Sequence, residues 1–280
     1  MAEISAATVV KLREMTSAGM MDCKKALIEA NGDIQKAIEI LRKKGAATAQ
    51  IKAARSAKDG VIARFIQPGA RLGVLVEVNC ETDFVARNEM FRAFADEVAR
   101  KLALDPNVDL EPDRQEIVGK IRENIRIARF ARMEVTGSGM VAAYIHTGAK
   151  VGVLVEVGAG KDETVAHEDF KQLVKDITLQ IAAAHPLAIS RADVDPAVVA
   201  KEKEIAAEQA KGKPPQAIEK IVQGKLEKFY QTYCLLEQGF VRQNGEISVK
   251  QHIDSVAKQL GDQITVRRFV RFQVGEEQAS

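Results

Sequence analysis

"GVIARFIQPGARLGVLVEV", residues 60 to 78, recurs without gaps as "GMVAAYIHTGAKVGVLVEV", residues 139 to 157, with 11 of 19 positions identical. An offset of 79 residues held over that length marks a duplication. In each copy β-branched and aromatic residues flank "PGA" or "TGA", so each reads as strand, glycine-containing turn, strand. The same offset runs on into a helix, pairing Phe91 with Phe170, Phe94 with Leu173, Val98 with Ile177 and Leu102 with Ile181 at the spacing of one apolar helical face. The expected fold is α+β, with a core of two related units built on antiparallel hairpins.

The flanks read outward from this repeat. Apolar spacing predicts three short helices in the first 45 residues, with Asp33 as an N-cap and Gly45 as a C-terminal stop. An Ala/Lys-rich linker, 46 to 58, follows. Residues 114 to 133 read as one helix, with Ile117, Ile121, Ile125 and Ala128 on one side and an arginine stripe of Arg122, Arg126, Arg129 and Arg132 on another. Two helices around the break Gly212 to Pro215 form an αα-hairpin that projects. A helix near 248 to 260 and a strand over 264 to 274 close the chain, with Val266, Val270, Phe272 and Val274 expected on one strand face, interrupted by Arg268. The expected division is 1–55, a helical module with its linker; 56–138, a first core unit; 139–192 with 234–280, a second; and 193–233, an inserted coiled-coil-like hairpin through which the chain could dimerise.

Composition narrows function. Lys plus Arg number 41 against 39 Asp plus Glu in 280 residues, so no global cationic field points to nucleic acid or anionic lipid. The three cysteines, Cys23, Cys80 and Cys234, are far apart and form no CxxC, which argues against a disulfide framework or zinc site and suits a reducing cytosol. "MAEISAATVV" lacks a basic n-region and a long apolar h-region, and no run reaches the roughly 20 apolar residues of a membrane span. The expectation is a soluble, cytoplasmic protein without membrane association.

Chemistry is sparse. His146, His167, His185 and His252 make no HxH, HExxH or Cys-His signature, and no G-x-G-x-x-G or G-x-x-x-x-G-K-[ST] loop is present. No catalytic residue, cofactor, bound nucleotide or metal is expected. Arg267, Arg268 and Arg271 add to the arginine stripe, but charge stripes usually face solvent, and no RNP-like aromatic strand or zinc knuckle accompanies them, so direct nucleic-acid binding is not expected. A binding module fits better.

Three places carry that reading. "NCETDFV", residues 79 to 85, joins the second strand of the first copy to its helix, where the second copy has "GAGKDET", residues 158 to 164. Asp83 matches Asp162, but Phe84 stands where the second copy has Glu163, so Phe84 is expected at an exposed tip. The other reading has Asp83 capping the next helix and Phe84 packing as a staple. Cys80 beside this tip is read as a small buried residue rather than a reactive thiol. Met20 and Met21 follow Gly19; adjacent residues cannot share one helical face, so one faces outward as partner surface, with a core role for either one the equal alternative. His146 lies on the second hairpin turn, as a contact or as an ordinary turn residue.

"LREMTSAGMMDCKKAL", residues 12 to 27, together with "VNCETDFVARN" resembles the two signature regions of the elongation factor Ts family, guanine-nucleotide exchange factors for elongation factor Tu. The resemblance covers nearly the whole chain. It implies a ubiquitin-associated-like N-terminal module, two core subdomains and an inserted helical hairpin. It further implies that Leu12, Arg13, Met20, Met21 and Lys24 dock on the GTPase domain, that Thr82, Asp83, Phe84 and Val85 form a wedge near its Mg2+ site, and that His146 makes a further contact. Some members continue into another C-terminal helix that embraces the partner, whereas this sequence stops at "GEEQAS", residues 275 to 280, so that contact does not carry over. The implied function is GDP release from elongation factor Tu; the alternative is a translation scaffold or chaperone that binds the same partner without speeding release.

Overall fold

A run as apolar as Leu72–Cys80 cannot show one face to water, so it must be a central strand covered on both sides. Every residue in it is buried. The computed structural model describes residues 4–276. Residues 1–3 of the expected N-terminal module and 277–280, within the closing "GEEQAS", lie outside the described residues. In chain order the elements are helices α1 (Ala6–Thr16), α2 (Met20–Glu29) and α3 (Ile34–Lys52), then strands β1 (Asp59–Ile66) and β2 (Leu72–Cys80). Short α4 (Asp83–Ala86), α5 (Glu89–Leu104), α6 (Glu111–Ile121) and β3 (Arg126–Glu134) complete the first unit. The second has β4 (Gly139–Ile145), β5 (Val151–Ala159), short α7 (Asp162–Ala166) and α8 (Glu168–Ala184). After it come α9 (Pro196–Gln209), α10 (Pro215–Tyr233), α11 (Val249–Leu260) and β6 (Ile264–Gln273).

The strands form two antiparallel sheets, β1-β2-β3 and β4-β5-β6. Helix α5 covers the outer face of the first, packing Phe91, Val98 and Leu102 on Val74, Val76 and Val78. Helices α8 and α11 cover the second, packing Phe170, Ile177, Ile181 and Ile253 on Val153, Val155 and Val157. The inner faces meet through Ile62, Leu75 and Met133 against Val141, Leu154 and Phe272. The result is an α+β fold of four layers: helix, sheet, sheet, helix.

The duplication governs how the sheets join. Ile62 N–H donates to Ala149 O at 2.7 Å, and its counterpart Val141 N–H donates to Ala70 O at 2.8 Å. On the third strands, Arg129 Nη2 donates to Gln273 O at 3.0 Å and Arg268 Nη2 to Glu134 O at 2.9 Å. The units are thus related by a pseudo-twofold whose contacts are reciprocal. The glutamate of each "GVLVEV" is buried, and each carboxylate meets an arginine Nε at 2.7 Å, Glu77 with Arg129 and Glu156 with Arg268. Burial opposes ionisation of Glu156, yet Arg267 and Arg268 outweigh it and hold the carboxyl below its usual range.

Three expectations need correction. Residues 114 to 133 are not one helix: α6 ends at Ile121, Arg122 takes a left-handed conformation at φ 67°, and Arg126–Glu134 is a strand. The buried backbone of β2 needs hydrogen-bond partners on both edges, and β1 supplies only one. A one-residue bulge at Ala128 puts Ile127 and Phe130 on the same face, and that spacing of three imitates a helix. The arginine stripe therefore does not exist. Arg129 turns inward to Glu77, Arg132 reaches Glu134 and Ala103 O, and Arg122 pairs with Asp22.

Gly45 does not stop a helix either. It lies inside α3, where a Cβ would meet Gln115 O at 3.2 Å, and a Cβ on Gly119 would sit 3.0 Å from Gly45 Cα. The glycine permits a close crossing of α3 and α6, so much of the expected linker is helix. Likewise, Val266 does not share a face with Val270, Phe272 and Val274, because a bulge at Arg267 reverses the alternation; Val266 packs on the α8 side and the others face the opposite sheet. Helices α9 and α10 form the hairpin, and Arg191 ties its base by bridging Glu227 and Glu237.

Candidate functional site

The tip is built from β2 outward. Below it Cys80 is fully buried, its thiol donating to Thr82 O at 3.2 Å. Thr82 caps α4: its Oγ1 accepts from Val85 N–H at 3.3 Å. The helix lasts one turn because Asn88 caps the next one, accepting from Met90 and Phe91 N–H. Asp83 pairs with Arg87 at 3.0 Å, and Val85 is half-buried against the α5 core. Phe84 is 82% exposed. It is no staple.

The tip is held from below by the turn after α6. Glu123 Oε2 accepts from Glu81 N–H and Thr82 N–H, both at 3.0 Å, while its Oε1 takes the Thr82 hydroxyl at 2.6 Å. In return Glu81 Oε1 accepts from Asn124 N–H at 2.6 Å, and the buried Asn124 amide donates to Arg55 O at 2.7 Å. Arg122, one residue earlier, reaches Asp22 of α2 at 2.5 Å. Three consecutive residues thus tie the tip, the end of the α3 segment and the N-terminal module together.

Asp22 lies beside the methionines. Met20 and Met21 are 41% and 62% exposed at the start of α2, and Arg13 and Lys24 are exposed as well, so these four side chains are open to a partner. Both methionines face outward, not one. Leu12 does not join that surface: it is fully buried in the module core with Cys23 and Leu27. Sequence spacing marked it as apolar and helical, the mark of a core position rather than a contact.

His146 is exposed on the β4–β5 turn, its Nδ1 3.0 Å from Tyr144 Oη. The sheet-to-sheet contacts bring this turn to the tip's end of the molecule. Ala149 O receives Ile62 N–H, and Lys150 Nζ reaches Asp59 and Gly60 O at the start of β1. Asp59 and Gly60 pair in register with Cys80 and Asn79, the root of the tip. By the pseudo-twofold, the first hairpin turn and the second tip share the other end, where Gly69, Arg71, Asp162 and Lys171 line one open groove. Glu163 replaces Phe84 there and is exposed.

The family model described as Elongation factor TS matches residues 81–276, from the tip to the end of the described chain. An elongation factor Ts of Symbiobacterium thermophilum is 45% identical, covering 99% of this chain and 93% of that one. The chain belongs to the elongation factor Ts family. Proteins of the same name from Clostridium botulinum, 43% identical over 98% of this chain and 93% of theirs, and Nitratidesulfovibrio vulgaris, 41% over 99% and 98%, agree. Family membership places the chain among translation elongation factors. None of the described helices is long and apolar enough to cross a membrane. Among the described residues no group of three or more His, Cys, Asp or Glu gathers as a metal site would.

In this family member Cys80 is a structural thiol. Burial pushes its pKa up to about 12, with the charges of Asp59 and Glu123 adding to the shift. A thiol titrating that high stays protonated and unreactive through neutral pH. All three cysteines are buried. At about pH 8 a thiol reagent such as Ellman's should therefore leave the folded chain largely unmodified and label all three cysteines only in denaturant. Rapid labelling of Cys80 in the folded protein would contradict its burial.

The turn Arg122–Glu123–Asn124 is the part of the site that sequence spacing misses. Reading residues 114 to 133 as one helix hides it. A usable signal was Glu-Asn just before an alternating segment, since Asn often leaves helices at such ends.

Proposed function

We propose that this chain is a guanine-nucleotide exchange factor: it binds GDP-loaded elongation factor Tu in the cytosol and drives the Thr82–Val85 tip against the Mg2+ and phosphate side of the nucleotide site. It performs no bond chemistry and needs no cofactor. The observation that carries this reading is Phe84, a large aromatic 82% exposed on a tip tied down by the Glu123 carboxylate and the Cys80 thiol. An aromatic left in water on a rigid mount is ready to bury its ring in a partner.

A GTPase holds GDP through phosphate-loop amides and Mg2+. By linkage, a factor that prefers the nucleotide-free GTPase must weaken GDP binding by the same ratio. Phe84 supplies the wedging energy. Asp83, whose pair with Arg87 is half in solvent and so weakly held, is free to exchange that partner for groups around the Mg2+. Arg13, Met20, Met21 and Lys24 supply affinity common to both states of the partner, and His146 adds a contact from the same end.

The test is stopped-flow release of fluorescent GDP from elongation factor Tu. Saturating amounts of this chain are expected to speed release at least about a hundredfold, which corresponds to a barrier to release lowered by about 2.7 kcal/mol. Stable complex formation with an unchanged GDP off-rate would leave only a scaffold or chaperone.

A further inference from the structure

The geometry points to Glu123 as a positioning residue that aims Phe84, an inference that rests on the exchange reading above. Phe84 has few contacts of its own to orient it, so the direction of its ring is set by the backbone of α4. That backbone is set by Glu123. One carboxylate oxygen accepts two consecutive amides, Glu81 and Thr82, and the other takes the Thr82 hydroxyl, whose oxygen in turn accepts Val85 N–H at the start of α4. Charge-assisted bonds of this kind are short and directional, and here they run in series from the turn after α6 to the residue beside Phe84. The turn itself is fixed to the N-terminal module through Arg122 and Asp22. Glu123 therefore sets where the wedge sits relative to the docking methionines.

The second unit supplies an internal control. Asp262, just before β6 as Glu123 stands just before β3, accepts Lys161 N–H at 3.0 Å and the Thr164 hydroxyl at 2.6 Å through Oδ2. Lys161 is the counterpart of Thr82. The same device, an acid ahead of the third strand gripping the tip of the second, is thus present twice. Only the first copy grips a tip that bears an aromatic.

The experiment uses the full chain and its Glu123→Ala, Glu123→Gln and Asp262→Ala forms. GDP release from elongation factor Tu is followed over a range of factor concentrations, and amide hydrogen exchange of Glu81, Thr82 and Lys161 is followed in the free proteins. Glu123→Ala is expected to lose protection at Glu81 and Thr82 and to lower the maximal release rate about five- to tenfold, while the half-saturating concentration moves less than about twofold. Glu123→Gln keeps an acceptor for both amides and should recover most of the maximal rate. Asp262→Ala should lose protection at Lys161 and release GDP at the parental rate. A parental maximal rate in Glu123→Ala, a change confined to half-saturation, or equal slowing by Asp262→Ala would each overturn the assignment and leave the exchange reading intact. A parent that does not accelerate release overturns the exchange reading itself, and the aiming role with it.

Discussion

Phe84→Ala is expected to lower the maximal rate of GDP release from elongation factor Tu about 10- to 100-fold and to leave the fold as stable as before. The range follows from burying one phenylalanine against a partner, about 1.5 to 3 kcal/mol, when that burial belongs only to the exchange-competent complex. Stability is spared because the ring is 82% exposed, and truncation of a side chain with so little packing usually costs within about 0.5 kcal/mol. Asp83→Ala should act in the same direction. Met21→Ala, by contrast, removes docking surface and should raise the half-saturating concentration with little change in the maximal rate. Kinetics across factor concentrations, with thermal melting alongside, separate these outcomes. A Phe84→Ala protein that exchanges at the parental rate would remove the wedge; one that unfolds would contradict the exposure of the ring.

The tip was legible because the sequence contains its own comparison. Two copies of one scaffold agree along both strands and the following helix and disagree at Phe84 and Glu163, and the structure leaves both side chains in water. Where no such comparison existed, spacing misled. The third strand of each sheet lies outside the ungapped repeat, and in both a one-residue bulge breaks the alternation by which a strand is recognised, at Ala128 and at Arg267. Gly45 misled for another reason. A glycine that ends a helix and a glycine that lets two helices touch are the same letter, and only the position of Gly119, more than seventy residues away, separates the cases. Leu12 stood in a motif with exposed neighbours and is itself core, since a motif marks a segment while burial is settled residue by residue.

The pseudo-twofold also fixes which small substitution does most harm. Gly73 and its counterpart Gly152 sit where the two sheets touch. A Cβ on Gly73 would lie 2.6 Å from Val141 Cγ1, 2.7 Å from Ile66 Cδ1 and 2.9 Å from Leu154 Cδ1; one on Gly152 would be 3.0 Å from both Ile145 Cδ1 and Leu75 Cδ1 and closer still to Ile62. The threatened atoms are methyl ends of side chains on the inner faces, those of Val141, Leu154, Leu75 and Ile62 fully enclosed and those of Ile66 and Ile145 partly so. Overpacking such a close-packed interface costs about 1 to 3 kcal/mol, so at about 2 to 4 °C per kcal/mol for a chain of this size Gly73→Ala and Gly152→Ala should each lower Tm by about 2 to 12 °C. Because both push on one interface, the double variant should cost less than the sum: once the first methyl has parted the sheets, the second finds room. Gly224→Ala, inside α10 with nothing within 4 Å of the added carbon, should instead stabilise by about 0.5 to 1 kcal/mol through helix propensity. The sheet interface also carries His146 to the same end as Phe84, so parting the sheets should weaken exchange at temperatures well below the melt. Thermal melts and GDP release measured on the same preparations test the chain of argument. Additive losses in the double variant would mean that the two glycines answer to separate interfaces, and the reciprocal packing that places the tip beside the second hairpin turn would have to be given up.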